Sequence, residues 1–142
     1  MDLMPDDIRA RLLANGAAEE ETDHIPVVKF FNPYGAATWL ITEMMPHEPD
    51  ILFGLCDLGM EYPEMGYVRL SDLIAIRLPS GLGIERDLHF RPRFPLSVFA
   101  DAARYAGRIT EAEQLLAAAA RRLKLPEDPE LPPDFAAVNP RT

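Results

Sequence analysis

The sequence is poor in cysteine and in long apolar runs. Cys56 is its only cysteine, so the chain cannot form an intramolecular disulfide or a cysteine-rich zinc site, and a lone thiol fits a reducing compartment. The apolar run at 51–56 is much shorter than the roughly 20 residues that cross a bilayer. Residues 1–7 are acidic and lack the basic start and apolar run of a secretory signal. We therefore expect a cytoplasmic protein that does not enter membranes.

Basic side chains are also scarce. The 142 residues include 14 Lys and Arg against 23 Asp and Glu, which gives a formal net charge of -9. The imbalance is strongest at 1–23, where two basic residues face seven acidic ones. Nucleic-acid binding relies on Lys and Arg that neutralise phosphates. The composition therefore disfavours direct binding to nucleic acid or to an anionic membrane surface.

Strong catalytic motifs are missing. The sequence has no Gly-x-Ser-x-Gly elbow, no phosphate-binding lysine loop and no His-Glu-x-x-His motif. The glycines at 81–83 lack the third glycine and the following helix of a dinucleotide fingerprint, so they indicate a turn. Burial of Cys56 in an apolar strand would raise its pKa and disfavour a nucleophilic role. His24 and His47 lie near loop prolines, without a second ligand at metal spacing. We predict no catalytic residue and no required cofactor.

Strand patterns dominate the middle of the chain. The length and the 48% apolar content predict a single domain. We assign this domain to 1–125 and expect the proline-rich residues 126–142 to form an extended tail. Five segments have the β-branched, aromatic or alternating patterns of strands. These segments are 25–31, 37–44, 51–56, 65–70 and 84–90.

Helical patterns lie on both sides of the predicted strands. Residues 5–15 predict an amphipathic helix, Ser71 is a suitable cap for a short helical turn, and residues 97–106 predict a longer helix. Thr110 and Glu113 have the spacing of a capping box, which predicts one more helix. We therefore predict the α+β class, with an antiparallel sheet of about five strands. The N-terminal helix and the C-terminal helical pair are expected to cover one face of it.

Two groups of polar residues are candidates for chemistry. Glu85, Asp87 and His89 alternate along a predicted strand, so they would project from one face about 6 to 7 Å apart and could hold a divalent metal. The alternative is an exposed acidic row neutralised by neighbouring cations, namely Arg86, Arg91 and Arg93. A second carboxylate group could support acid–base hydrolysis if strand ends converge, or it could be a set of solvated loop charges. Its members are Glu43, Asp57, Glu61 and Glu64.

Three tyrosines form a candidate interaction surface. Tyr34 lies in Asn32-Pro33-Tyr34-Gly35, which has the proline and glycine of a type I turn. Tyr62 lies in a predicted loop, and Tyr67 follows Gly66. Aromatic residues are enriched in protein interfaces. The alternative is packing at the margin of the sheet, with each hydroxyl group in water.

Several short blocks occur in order along the middle of the chain. In these blocks the sequence resembles a bacterial family of domains of unknown function, whose catalogue number is twenty-nine fifty-eight. The resemblance covers roughly residues 5–100, and it implies a common fold unit encoded on plasmids and other mobile elements. It implies no reaction and no catalytic residue. The blocks are Lys29-Phe30-Phe31-Asn32-Pro33-Tyr34-Gly35, Thr38-Trp39, Thr42-Glu43, Phe53-Gly54, Glu64-Met65-Gly66-Tyr67, Leu70-Ser71-Asp72-Leu73 and Gly83-Ile84-Glu85-Arg86-Asp87-Leu88-His89-Phe90.

These observations favour a non-catalytic module that binds another protein, because an acidic surface, loop tyrosines and a proline-rich tail suit recognition. Two other classes stay open. A metal-assisted hydrolase would use Glu85, Asp87 and His89 with a divalent ion. An acidic mimic of DNA would serve a mobile element by competing for a basic nucleic-acid-binding protein. Binding by such a mimic would fall steeply as salt rises.

Overall fold

A computed structural model describes residues 1–129 of the chain. The predicted tail falls largely on residues 130–142, which lie outside the described residues. In the part from 1 to 129, no helix is both long and apolar enough to cross a bilayer. The same part contains four helices and five strands. In chain order they are α1 (Asp6–Gly16), β1 (Val28–Phe31), β2 (Thr38–Met44), β3 (Ile51–Asp57), β4 (Glu64–Arg69), α2 (Leu70–Ala75), β5 (Glu85–Arg86), α3 (Leu96–Ala106) and α4 (Glu113–Arg122).

The strands form one antiparallel sheet in the order β4-β3-β2-β1-β5. The turn between β1 and β2 closes as predicted. Its Gly35 N–H donates to the Asn32 carbonyl (3.2 Å), and the Asn32 N–H donates to the Ala37 carbonyl (3.0 Å). The Asn32 side chain also accepts from the Tyr34 N–H (2.8 Å). The predicted α+β class, with its five-stranded antiparallel sheet, is confirmed.

Helices cover both faces of the sheet. Trp39 and Ile41 of β2 point to one face, where they pack with α1 and α2. Leu40 of β2 and Leu55 of β3 point to the other face, where they pack with α3 and α4. The prediction that the N-terminal helix and the C-terminal pair share one face is therefore wrong. The physical reason is that the central strands carry apolar side chains on both faces, and each face needs a covering layer.

β5 is much shorter than the strand predicted at 84–90. Its pairing with β1 involves Glu85 and Arg86. The chain then turns, because the Asp87 carboxylate accepts a hydrogen bond from the His89 N–H (2.8 Å). Such local side-chain bonds compete with strand pairing. The turn carries Phe90 into the core beneath α3, so the polar face predicted for this strand is interrupted.

Two helices are capped by aspartates that are distant in sequence. At the start of α2, Asp50 accepts hydrogen bonds from the Ser71 N–H (2.8 Å) and from the Ser71 hydroxyl (2.6 Å). At the start of α3, Asp23 accepts the same two bonds from Ser97. A carboxylate is favourable at both places because the first N–H groups of a helix are unpaired and carry positive partial charge.

The two predicted local caps are not formed. α2 begins at Leu70, so Ser71 lies inside the helix rather than at its cap position. α4 begins after Ala112 without a side-chain cap. The Thr110 hydroxyl instead accepts from the Ala112 N–H (3.1 Å). The predicted capping box is not formed, because the Thr110 hydroxyl bonds to the N–H of Ala112, the residue just before α4 begins.

Candidate functional site

Strand β4 lies at an edge of the sheet, where β3 is its paired neighbour. The Leu70 N–H donates to the Asp50 carbonyl (2.8 Å), which continues the β3–β4 ladder by one residue. Inward and outward backbone groups alternate along an antiparallel ladder. Met65, Tyr67 and Arg69 therefore point their backbone groups away from β3. Arg69 is the N-cap residue of α2, so its carbonyl accepts the first hydrogen bond of that helix. Within residues 1–129, no strand is paired with the outer side of Met65 and Tyr67.

Large apolar side chains are exposed along the β3–β4 hairpin and on β4 itself. Tyr62 is 81% exposed and Tyr67 is 68% exposed. Monomeric proteins rarely leave such a concentration of apolar side chains uncovered. We call the exposed set the edge surface. It consists of Leu58, Met60, Tyr62, Met65 and Tyr67.

Tyr67 of the edge surface forms an aromatic pair with Phe53 of β3. Tyr67 lies opposite Phe53 in the ladder, and the two ring centroids are 5.1 Å apart with the planes tilted by 57°. Such tilted ring pairs add to the stabilisation from burial alone. Both rings lie on the sheet face that α3 and α4 cover further in, over Leu40 and Leu55. The aromatic pair therefore extends the apolar face beyond those helices, toward the open edge.

The third predicted tyrosine lies in a neighbouring turn. Tyr34 is 64% exposed between β1 and β2. That turn touches the β3–β4 hairpin, because a Cβ atom added to Gly59 would lie 2.9 Å from the Ala36 Cβ. Tyr34 and Tyr62 thus lie at the same end of the sheet, and Tyr67 lies further along β4. Recognition by these tyrosines stays a prediction.

A buried carboxylate anchors the hairpin. Asp57 is 2% exposed, and it accepts hydrogen bonds from the Gly59 N–H (2.8 Å) and the Ile109 N–H (2.9 Å). These charge-assisted bonds satisfy the buried group and tie the hairpin to the segment between α3 and α4. Near the tip, Glu61 has a φ of 66°, a left-handed conformation that is strained for a residue with a side chain. The hairpin is therefore held in a defined shape.

The carboxylates predicted for acid–base chemistry do not form one site. Asp57 is occupied by its two backbone donors. Glu43 lies on β2, Glu61 lies in the hairpin, and Glu64 begins β4. Across the described residues, no group of three or more His, Cys, Asp or Glu side chains could hold a metal ion. Acid–base chemistry by this group stays a prediction, and the two backbone bonds of Asp57 disfavour it at that residue.

The row formed by Glu85, Asp87 and His89 is broken where β5 ends. Asp87 lies 3.5 Å from the Lys29 ammonium group, which also pairs with Glu111 (2.5 Å). A cation beside Asp87 opposes the binding of a second cation there. Metal binding by the row stays a prediction that this arrangement disfavours. The three arginines expected to neutralise the row bind other groups. Arg86 donates to the Asp2 carbonyl, Arg91 donates to the Phe90 carbonyl, and Arg93 pairs with Glu113.

Cys56 has the environment that its apolar strand predicted. It lies on β3 and packs against the core beneath α1. Burial raises the pKa of its thiol to about 11. The thiol therefore stays protonated at neutral pH and is a poor nucleophile.

A groove that the sequence did not predict lies beside Tyr67. It has a volume of about 170 Å³ and is lined in part by the rings of Phe53 and Tyr67, with the imidazole of His24. The glutamates at 19–21 lie between α1 and β1, in a segment (17–27) that we call the linker, and the fold brings part of it next to β2 and β4. The groove thus combines aromatic rings with carboxylates from two segments, which are Glu20, Glu21 and Glu43.

Comparison with known proteins places most of the chain in a protein family. The family model described as "Protein of unknown function (DUF2958)" matches residues 3–110. This range includes the sheet, α1, α2, α3 and the whole edge surface. Searches of curated proteins and of solved structures find no match.

Proposed function

The chain belongs to the family of proteins of unknown function DUF2958, and from that premise we propose that it is a non-catalytic module that binds another protein. The proposed binding site is the edge surface. The observation that carries the proposal is the exposure of five large apolar side chains between Leu58 and Tyr67, next to an unpaired strand edge. Burying such side chains against a partner is favourable by about 25 cal/mol for each Å² of apolar area.

Two further features of the hairpin support this proposal. Its shape is fixed by the hydrogen bonds of Asp57, so little conformational entropy is lost when a partner binds. The strained φ of Glu61 costs about 1 to 2 kcal/mol, and such strain clusters at functional sites. A preorganised apolar surface suits recognition more than catalysis.

The proposed setting is the bacterial cytoplasm and, following the family resemblance, a plasmid or another mobile element. The acidic composition and the lone reduced cysteine support an intracellular location. A survey of the genes that flank members of the family tests the mobile-element setting. Conjugation, replication or transposition genes are expected beside most members, and an ordinary chromosomal neighbourhood contradicts it.

The test of the binding function is affinity capture from a nuclease-treated lysate of the native host. The bait proteins are the wild type, a Tyr62→Ser/Tyr67→Ser variant and a Tyr105→Ser control. Tyr105 is 77% exposed on α3, its ring centroid lies 4.5 Å from the Arg122 guanidinium carbon, and it is not one of the five residues of the edge surface. We expect one stoichiometric partner with the wild type and the control, and its loss with the double variant. Equal recovery with all three proteins contradicts the proposed site.

Salt and metal measurements separate the other two classes. An apolar interface keeps its partner as salt rises, whereas an acidic mimic of DNA loses its partner steeply. A metal-assisted hydrolase predicts one tightly bound divalent ion per chain, and an Asp87→Ala variant would lose it. Absence of any partner, together with one bound metal per chain, would overturn the proposed interaction function.

A further inference from the structure

We infer that β4 takes up an extended, basic segment of the partner as an additional strand of the sheet. This inference rests on the proposed binding function and specifies the chemistry of the partner. The partner segment would pair its backbone with β4 and place its side chains alternately above and below the sheet. Its basic side chains would face the carboxylates that surround the edge surface.

The backbone of β4 is the first observation. Met65 and Tyr67 point both of their backbone groups outward, by the alternation that the Leu70–Asp50 bond sets. Arg69 points its N–H outward, while its carbonyl accepts the first hydrogen bond of α2. These outward groups can pair with about five residues of an added strand. Unpaired edges of this length are templates for another strand unless they are protected.

The second observation is that β4 lacks the usual protection of an edge strand. Edges are commonly blunted by proline, by central charges, by bulges or by very short strands. Residues 65–68 contain no proline and no charged side chain, and the β3–β4 register runs without a shift. At the opposite edge, β5 has only two residues and ends in the Asp87 turn. The β5 edge therefore offers little backbone for pairing, whereas the β4 edge is unprotected.

Gly66 is the third observation. No heavy atom lies within 4 Å of a Cβ atom added at this position. Neither local crowding nor a positive φ requires glycine here. Glycine inside a strand otherwise weakens it, and it often marks a place where another backbone approaches closely. The open space beside Gly66 is therefore available to the side chains of an added strand.

Charge identifies the class of partner. Glu20, Glu21 and Glu43 line the groove beside Tyr67, and Glu61 and Glu64 lie in the hairpin and at the start of β4. Among residues 1–129, none of these five carboxylates belongs to an ion pair. Uncompensated carboxylates attract a cationic segment and repel an acidic one. A second copy of this chain, with its charge of -9, is a less favourable occupant than a basic partner.

The test uses the full-length protein and two synthetic peptides of about ten residues, the length of an edge segment with margins. One peptide alternates Lys and Val, and the other alternates Glu and Val. Fluorescence anisotropy measures their affinities for the wild type and for a Glu20→Gln/Glu21→Gln/Glu43→Gln variant. We expect the lysine peptide to bind at least about ten-fold more tightly than the glutamate peptide. The triple variant should remove most of that difference.

Substitutions at Tyr67 test the backbone pairing. Tyr67→Ala removes the ring, whereas Tyr67→Pro removes the ring and also the outward N–H, at an edge position that tolerates proline. We expect Tyr67→Pro to bind the lysine peptide about five- to ten-fold more weakly than Tyr67→Ala. Equal affinities of the two variants, or equal affinities of the wild type for the two peptides, overturn strand addition. The lysate capture still judges the binding function separately.

Amide hydrogen exchange provides a measurement that does not depend on the folding of a proline variant. In the free wild type, the outward N–H groups of Met65, Tyr67 and Arg69 should exchange quickly. The inward N–H groups of Gly66 and Val68 should exchange slowly. Saturation with the lysine peptide should slow the three outward groups selectively. Unchanged exchange at the outward groups, with peptide bound, contradicts pairing at this edge.

Discussion

The two edges of the sheet differ in how each strand ends. β5 pairs through two residues, and its chain then turns into the core at Phe90. β4 continues for six residues with an open outer side and a row of exposed apolar side chains. Both edges belong to one sheet with buried apolar clusters on both faces. The difference therefore does not reflect a general lack of packing, and it supports the choice of β4 as the proposed binding edge.

The largest expected effect comes from the close packing around Gly54 on β3, which contrasts with the open space around Gly66 on β4. Gly54 and Gly66 lie opposite each other in the ladder. A Cβ atom at Gly54 would lie 2.0 Å from the Leu40 carbonyl oxygen, so Gly54→Ala must move backbone. We expect a loss of about 3 kcal/mol in the free energy of unfolding, measured by urea denaturation. A loss below about 1 kcal/mol would mean that the contact between β2 and β3 relaxes easily.

The next largest expected effect on stability concerns Asp57, which anchors the β3–β4 hairpin. Asp57→Ala removes the charged acceptor of the Gly59 and Ile109 N–H groups, so we expect a loss of about 2 kcal/mol in the free energy of unfolding. The matched control is Asp101→Ala, which removes the partner of Arg122 in a surface ion pair and should cost less than about 1 kcal/mol. Urea denaturation of both variants checks the comparison. Similar losses for both would show that Asp57 is not a special anchor of the edge surface.

The hydrogen bonds between Asp50 and Ser71, just after the C-terminal end of β4, should depend on pH. The hydroxyl of Ser71, with its N–H and the nearby Arg69, lowers the pKa of Asp50 below its usual 3.8. A lowered pKa means that the stabilisation is present above about pH 4 and is lost as pH falls through the folded-state pKa. Asp50→Asn should therefore be less stable than the wild type near neutral pH. The two proteins should converge below that pKa, and a difference that grows toward acid would contradict the assignment.

The smallest expected effect is a gain in stability. Gly66→Ala meets no atom and reduces the conformational freedom of the unfolded chain, so we expect about 0.5 kcal/mol of stabilisation. Both variants replace glycine with alanine, so the difference between their stabilities reports the space around each position rather than the loss of glycine itself. Thermal denaturation of the two variants gives the comparison. Destabilisation by Gly66→Ala would show that the space beside β4 is filled in solution.

Much of the fold could be predicted from local patterns. The turn at 32–35, the four longer strands and the environment of Cys56 follow from spacing and residue type, which act over a few neighbours. Which helices cover which face could not be predicted, because apolar side chains on both sides of β2 show that both faces are covered but do not assign a helix to either face. The end of β5 depends on a side-chain bond of Asp87 that competes with strand propensity.

The candidate site was predictable only in part. The sequence predicts Tyr62 in a loop and places Tyr67 after Gly66, and both tyrosines are highly exposed. The edge position of β4 depends on the order of strands in the sheet, which the sequence pattern does not specify. The acidic groove joins the segment at 20–21 to β2 and β4. Such a site exists only after residues distant in sequence come together in the fold.

The cap of α3 makes the stability of that helix depend on the linker. The carboxylate that closes its first turn comes from Asp23, 74 residues before Ser97. An uncapped helix of eleven residues is marginal in water, so α3 gains its full stability only when the linker docks beside it. The stability of α3 therefore depends on a residue that is distant in sequence. A chain that lacked its first 23 residues would lose both α1 and the carboxylate that stabilises the start of α3.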